Sequence, residues 1–120
     1  MSGVLLVALG AAVGAPLRYL VDRAMRARYG PAFPWGTFTV NVAGSFAFGC
    51  TLAATTSPAV VALVGVGFCG ALTTYSTFGL ETVQLAAAGA RRRAAGYALG
   101  SVLAGLAAAG LGLALGAAIT

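Results

Sequence analysis

Four apolar runs, approximately 4–22, 35–54, 59–88 and 95–119, occupy most of this 120-residue chain and leave only short polar connectors between them. A helix crossing the hydrocarbon layer of a bilayer uses about 20 apolar residues at a rise of about 1.5 Å each. Four such spans consume most of the length, so the sequence predicts an all-α membrane protein with a single four-helix transmembrane domain over residues 1–120. Only 8% of the residues are charged, whereas a soluble domain carries roughly 25%. A water-facing surface cannot be covered from that supply, which excludes a soluble enzyme.

The residue inventory narrows the chemistry further. There is no His and no Lys, and the charged side chains are two acids, Asp22 and Glu81, with seven arginines. No catalytic triad, nucleotide-binding loop or metal cluster can be assembled from these, so no enzymatic activity is expected. The positive charge stands between apolar runs and not in a basic patch interleaved with aromatics, which marks membrane edges and not a nucleic-acid face. Cys50 and Cys69 lie inside apolar runs without metal-ligand spacing and read as small buried hydrophobes.

The first run has no positive residues before it and no cleavage-like site after it, so it is expected to be a retained helix and not a signal peptide. Asp22 to Pro34 combines Arg23, Arg26 and Arg28 with Tyr29-Gly30-Pro31 and Pro34, which describes an interfacial loop. Trp35 then opens the second run at headgroup level. Thr55-Thr56-Ser57-Pro58 is a tight reversal that makes the second and third helices antiparallel neighbours. The third run, at about 30 residues, exceeds one spanning length. Gly65, Gly67, Gly70, Thr73 and Thr74 lower helix propensity in its middle, and Ser76 and Thr77 continue the polar cluster. A helix broken near mid-membrane is expected there, which lipid tolerates only where protein or a water-filled cavity receives the freed backbone groups. Arg91-Arg92-Arg93 forms the third connector. In the fourth run Gly96, Gly100, Ala104, Ala108, Gly112 and Gly116 recur every four residues, either as a stripe for close helix approach or as a reflection of Gly and Ala content. Gly10 and Gly14 are a weaker form of the same signal.

Polar groups inside spans need a reason. Arg18 precedes Asp22 by four residues and is expected to pair with it or to snorkel to the interface. Glu81 reads as facing a vestibule or capping a polar network, and only weakly as a proton relay. Asn41 and Ser45 lie one turn apart on a face shared with Phe38 and Phe48. The amide of Asn41 is expected to bond another helix, with donation to an anion as the alternative. Tyr97 and Ser101 repeat the aromatic-hydroxyl spacing in the fourth run.

Three stretches carry a resemblance: Gly14-Ala15-Pro16-Leu17-Arg18-Tyr19, Trp35-Gly36-Thr37-Phe38-Thr39-Val40-Asn41-Val42-Ala43-Gly44-Ser45-Phe46, and Gly67-Phe68-Cys69-Gly70-Ala71-Leu72-Thr73-Thr74-Tyr75-Ser76-Thr77-Phe78. Together they resemble the Fluc, or CrcB, family of fluoride channels in order and spacing over essentially the whole chain. The resemblance implies an antiparallel two-subunit channel with two pores at the interface and a structural sodium ion at its centre. By motif position the sodium would be held by the backbone carbonyls of Gly70 and Thr73, a donor type suited to a hard cation. The pore rings would be Tyr75 and Phe78, whose electropositive edges suit a small anion. Asn41 matches the pore amide, while Ser76, Thr77, Tyr97 and Ser101 match the polar track. Arg18 and Glu81 match charged positions of the family. At the first ring position the family usually has Phe where this chain has Tyr75.

With four spans, the first and third connectors lie on one side of the membrane, and all the arginines belong to them. The positive-inside rule then predicts both termini outside, in the cell membrane. Such a bias disfavours insertion in both orientations, so an antiparallel heterodimer with an oppositely oriented homologous subunit is expected in preference to a homodimer. The expected activity is passive export of fluoride, which reduces its toxicity, and the partners are fluoride and membrane lipid. Two alternatives remain: a small proton-coupled exporter of the multidrug type, and a non-conducting structural subunit of a heterodimeric channel.

Overall fold

Long apolar runs in a medium that cannot bond the backbone must satisfy their amides internally, and the computed structural model, which describes residues 2–120, is accordingly helical with no strand among them. Helix α1 spans Gly3–Tyr29, with the Ser2 hydroxyl accepting the Leu5 N–H at its start (3.2 Å). Helix α2 spans Trp35–Ala54. The third span begins at Pro58–Val60 (α3), where the Ser57 hydroxyl caps the Val60 N–H. It widens into a π-helical stretch at Val61–Cys69 and tightens again at Gly70–Leu72 (α4). Thr73 is extended (φ −78°, ψ 159°), and helix resumes as α5 at Ser76–Ala87. Helix α6 spans Arg91–Ala118. Four of these segments, Gly3–Tyr29, Trp35–Ala54, Pro58–Ala87 and Arg91–Ala118, are long and apolar enough to cross a membrane.

Two connectors differ from the sequence expectation. The loop expected from Asp22 to Pro34 is helical as far as Tyr29, and only Gly30 to Pro34 is irregular. Met, Ala and Arg are good helix formers, and Arg26 Nε meets Asp22 Oδ2 at 2.9 Å across one turn, so α1 persists until Gly30 takes φ 78° and its N–H returns to the Arg26 carbonyl. Likewise Arg91 to Arg93 form the first turn of α6 and not a connector. The reversal falls on Ala88 to Ala90, where Gly89 adopts φ 87°.

Glycine sets the two tightest seams. A methyl at Gly10 or Gly67 would overlap backbone across the contact between α1 and the π-helical stretch, and one at Gly112 or Gly116 would overlap the Phe46 or Cys50 carbonyl of α2. The α6 stripe therefore divides: Ala108, Gly112 and Gly116 are buried, whereas Gly96 and Gly100 meet nothing within 4 Å. A spacing of four drifts about 40° per step around a helix of about 3.6 residues per turn, so a stripe of this length turns from α2 to the outside. The bundle measures 47 × 28 × 23 Å, a long axis close to a bilayer with its headgroups, roughly 40–45 Å. Large apolar side chains such as Val4, Leu103 and Ile119 face outward.

Candidate functional site: a groove beside the helix interruption

The three residues that join α4 to α5 are held by a side chain from α2. Asn41 Nδ2 donates to the Thr74 carbonyl at 3.0 Å, and the Thr74 N–H donates to Asn41 Oδ1 at 2.7 Å. One buried amide thus satisfies both backbone groups of a residue that neither flanking helix can serve. The Thr74 hydroxyl in turn accepts the Thr77 N–H at 3.3 Å and caps α5.

These diversions have a consequence one turn back. In a continuous helix the Thr74 and Thr77 N–H groups would bond the carbonyls of Gly70 and Thr73. Here both go to side-chain oxygens, and among the described residues neither carbonyl receives a backbone N–H. Gly70 keeps only a long contact from the Thr73 hydroxyl, 3.5 Å. Hard carbonyl donors are thereby left at the end of a helix, where four such groups always lack intrahelical partners.

Beside the clamp, a groove of about 380 Å³ runs between α2, α5 and α6, with Asn41, Phe48, Tyr75, Phe78 and Ser101 on its walls. The Ser101 hydroxyl is buried and has no protein partner. Tyr75 is 76% exposed and projects from the subunit. Asn41 makes the helix-to-helix bond expected of it and still lines the groove, and its second amide hydrogen has no protein partner among the described residues.

Other residues singled out from the sequence lie elsewhere. Tyr97 is 1% exposed. Its hydroxyl donates to Glu81 Oε1 at 3.1 Å, and its ring packs 5.0 Å from Phe78 and 5.3 Å from Phe33. It therefore stands behind the groove ring and is not on the groove wall. Thr77 faces a separate cavity of about 180 Å³ with Arg18, Tyr19, Asp22, Thr37 and Thr74, while Ser76 is exposed in the first turn of α5. Arg18 does not pair with Asp22, whose partner is Arg26. Glu81 caps a polar network, with Arg26 Nη2 3.6 Å from its Oε2.

Arg26 is the residue that sequence reasoning missed, and a signal for it exists. At a spacing of four, an acid N-terminal to a base is the favoured order; Asp22 to Arg26 has that order and Arg18 to Asp22 the reverse. A loop that starts at Asp22 leaves Arg26 outside the helix and conceals the pair.

Comparison with known proteins bears on the whole chain. Residues 5–113 match the family described as CrcB-like protein, Camphor Resistance (CrcB). A Frankia casuarinae protein named fluoride-specific ion channel FluC 1 is 54% identical over 124 aligned positions, covering 96% of each chain. Its Streptomyces avermitilis namesake is 50% identical over 113, covering 91% of each. A Shewanella sediminis protein named fluoride-specific ion channel FluC is 50% identical over 94, covering 75% of this chain and 76% of that one. With four helices fit to span a bilayer and matches of this extent, the chain is a multi-pass membrane protein and belongs to the CrcB family.

Proposed function

We propose that this chain is a subunit of a fluoride-specific channel that lets fluoride leave the cell passively. The observation that carries the reading is the groove. It combines a buried, unpartnered Ser101 hydroxyl, a spare N–H on Asn41 and the rings of Tyr75 and Phe78. Hydroxyl and amide donors replace the water a small anion gives up, and ring edges supply positive potential without a fixed charge that would trap it. The names of the similar proteins agree with this substrate. Proton-coupled exchange fits less well, because both acids face Arg26 and such exchange needs a free titratable group at the substrate.

The groove is open on one side and Tyr75 projects from it, which suits a pore completed by a second, antiparallel subunit. All arginines belong to the second half of α1 or the first turn of α6, at the end where Arg26 meets Glu81. That asymmetry favours one orientation per sequence and hence an oppositely oriented homologous partner, with both termini of this chain outside. A structural sodium ion between the subunits is part of the same proposal. The donor set fits it, since the Gly70 and Thr73 carbonyls lack backbone partners and carbonyl oxygen suits a hard cation. Its contribution when bound would be to hold two interrupted helices in register.

The test is efflux from liposomes holding channel purified from membranes, with this chain expressed alone or beside an oppositely oriented homologue. Fluoride should leave and chloride should not, and Phe78→Ile should cut the fluoride rate tenfold or more. Equal passage of both halides, or undiminished flux in the variant, would reject the assigned groove. Replacing external and internal sodium by N-methylglucamine should slow efflux if the carbonyl site holds sodium.

A further inference from the structure

The continuation of α1 past Asp22 gives that helix a contact that no other described residue provides. Arg26 Nε is 2.9 Å from Asp22 Oδ2, and its Nη2 is 3.6 Å from Glu81 Oε2 on α5. Glu81 is buried, at 8% exposure, and its other oxygen accepts the hydroxyl of Tyr97. The Tyr97 ring rests on Phe78, one turn before Glu81 on α5 and itself on the groove wall. Four side chains from three helices therefore run without interruption from a half-exposed guanidinium to the groove ring.

A carboxylate taken out of water needs an opposing charge as well as a hydrogen bond. Among the described residues Arg26 is the one cation within ion-pair distance of Glu81. Beside the pair lies a cavity of about 280 Å³, walled by Phe33, Trp35 and Gln84 as well as Asp22, Arg26 and Glu81. Without the guanidinium, the Glu81 carboxylate gains by turning into that cavity toward water. The Tyr97 hydroxyl then loses its acceptor, and the ring behind Phe78 loses its anchor.

We propose that Arg26 is a positioning residue for anion conduction: its charge holds Glu81 on the Tyr97 hydroxyl and thereby fixes the Tyr97–Phe78 ring pair at the groove. Asp22 acts one step further out by holding Arg26 in place along α1. This rests on the fluoride-channel reading, and Arg26 itself touches no anion, because its guanidinium is engaged by the carboxylates of Asp22 and Glu81 and does not line the groove.

The experiment is fluoride efflux per folded channel in liposomes for Arg26→Gln, Arg26→Lys, Glu81→Gln and the double variant Arg26→Gln/Glu81→Gln. Arg26→Gln should lower flux about tenfold, and Arg26→Lys, which keeps the charge, should recover it to within about threefold of the parent. In the Glu81→Gln background no carboxylate needs holding, so adding Arg26→Gln should change flux less than twofold. That pair is also free of a buried uncompensated charge, and it remains readable where Arg26→Gln alone folds poorly. Equal loss from Arg26→Gln in both backgrounds, equal loss in the Lys and Gln variants, or no loss at all would each overturn the positioning role. These variants are read beside the same oppositely oriented homologue as the parent, and a parent that passes no fluoride even with that partner would instead sink the channel reading itself, so the two failures are distinct.

Discussion

Asn41 and Ser101 face the same groove and obey opposite rules. Asn41 closes two hydrogen bonds on Thr74, whereas the Ser101 hydroxyl is buried with none. Leaving two buried backbone groups unpaired costs about 1–3 kcal/mol each. Asn41→Ala should therefore lower the thermal midpoint in detergent by an amount corresponding to about 2–6 kcal/mol, and it should stop fluoride efflux through loss of the interruption's geometry. Ser101→Ala removes an unsatisfied group. Its stability should be unchanged or higher by about 1 kcal/mol, while its efflux falls at least severalfold. A Ser101→Ala channel that is both less stable and fully conducting would mean that the hydroxyl serves packing and not an ion. At this scale the sequence is legible as residue types: an amide, hydroxyls and aromatic rings at helical spacing mark the polar faces. Which of them meet is not legible. The Asn41 to Thr74 pairing spans 33 residues and depends on how α2 leans on the third span. Tyr97 and Ser101 share a helical face in the sequence, but one is drawn behind the ring by Glu81 and only the other reaches the groove.

At the scale of the element, the four long apolar runs are plain in the sequence because hydropathy integrates over some twenty positions, while helix ends depend on single side chains. The α1 terminus moved by two turns on the strength of one ion pair, and the α6 start moved on the strength of Gly89 at φ 87°. The repeating small residues of α6 show the same limit. Their spacing identifies a surface for close approach without saying which part uses it, because the stripe turns around the helix. One substitution made at two points of the stripe separates them. Alanine exceeds glycine in helix propensity by about 1 kcal/mol, so Gly96→Ala, with nothing within 4 Å of its new methyl, should raise the thermal midpoint slightly. Gly112→Ala drives its methyl into the Phe46 carbonyl and should lower the midpoint by many degrees despite the same gain in propensity. Size-exclusion profiles after graded heating would read both. Equal behaviour of the two variants would show that the seam between α2 and α6 can open without cost.

For the whole molecule, two asymmetries point the same way. The subunit leaves a groove open with Tyr75 at its rim, and it gathers every arginine at one end. Under the proposed assembly an antiparallel partner would close the groove, and the charge bears on whether that partner can be the same sequence. Within a short connector each Lys or Arg favours retention on the cytoplasmic side, and this chain has no basic residue from Met1 to Leu17, in the reversal after α2, or beyond Arg93. A single orientation is therefore expected. Epitope tags on either terminus should be reached by antibody from outside intact cells, and a tag in the Ala88–Ala90 turn only after permeabilisation. Under that outcome the chain expressed alone cannot assemble an antiparallel pair, and its purified form should pass little fluoride until a homologue of opposite charge bias is co-expressed. Changing Arg91, Arg92 and Arg93 together to Gln removes much of the bias. That variant should label from both sides and regain conduction without a partner, since none of the three lines the groove. Two-sided labelling of the unaltered chain, with full flux from it alone, would instead establish a homodimer and show that seven arginines on one side do not suffice to fix this bundle in the membrane.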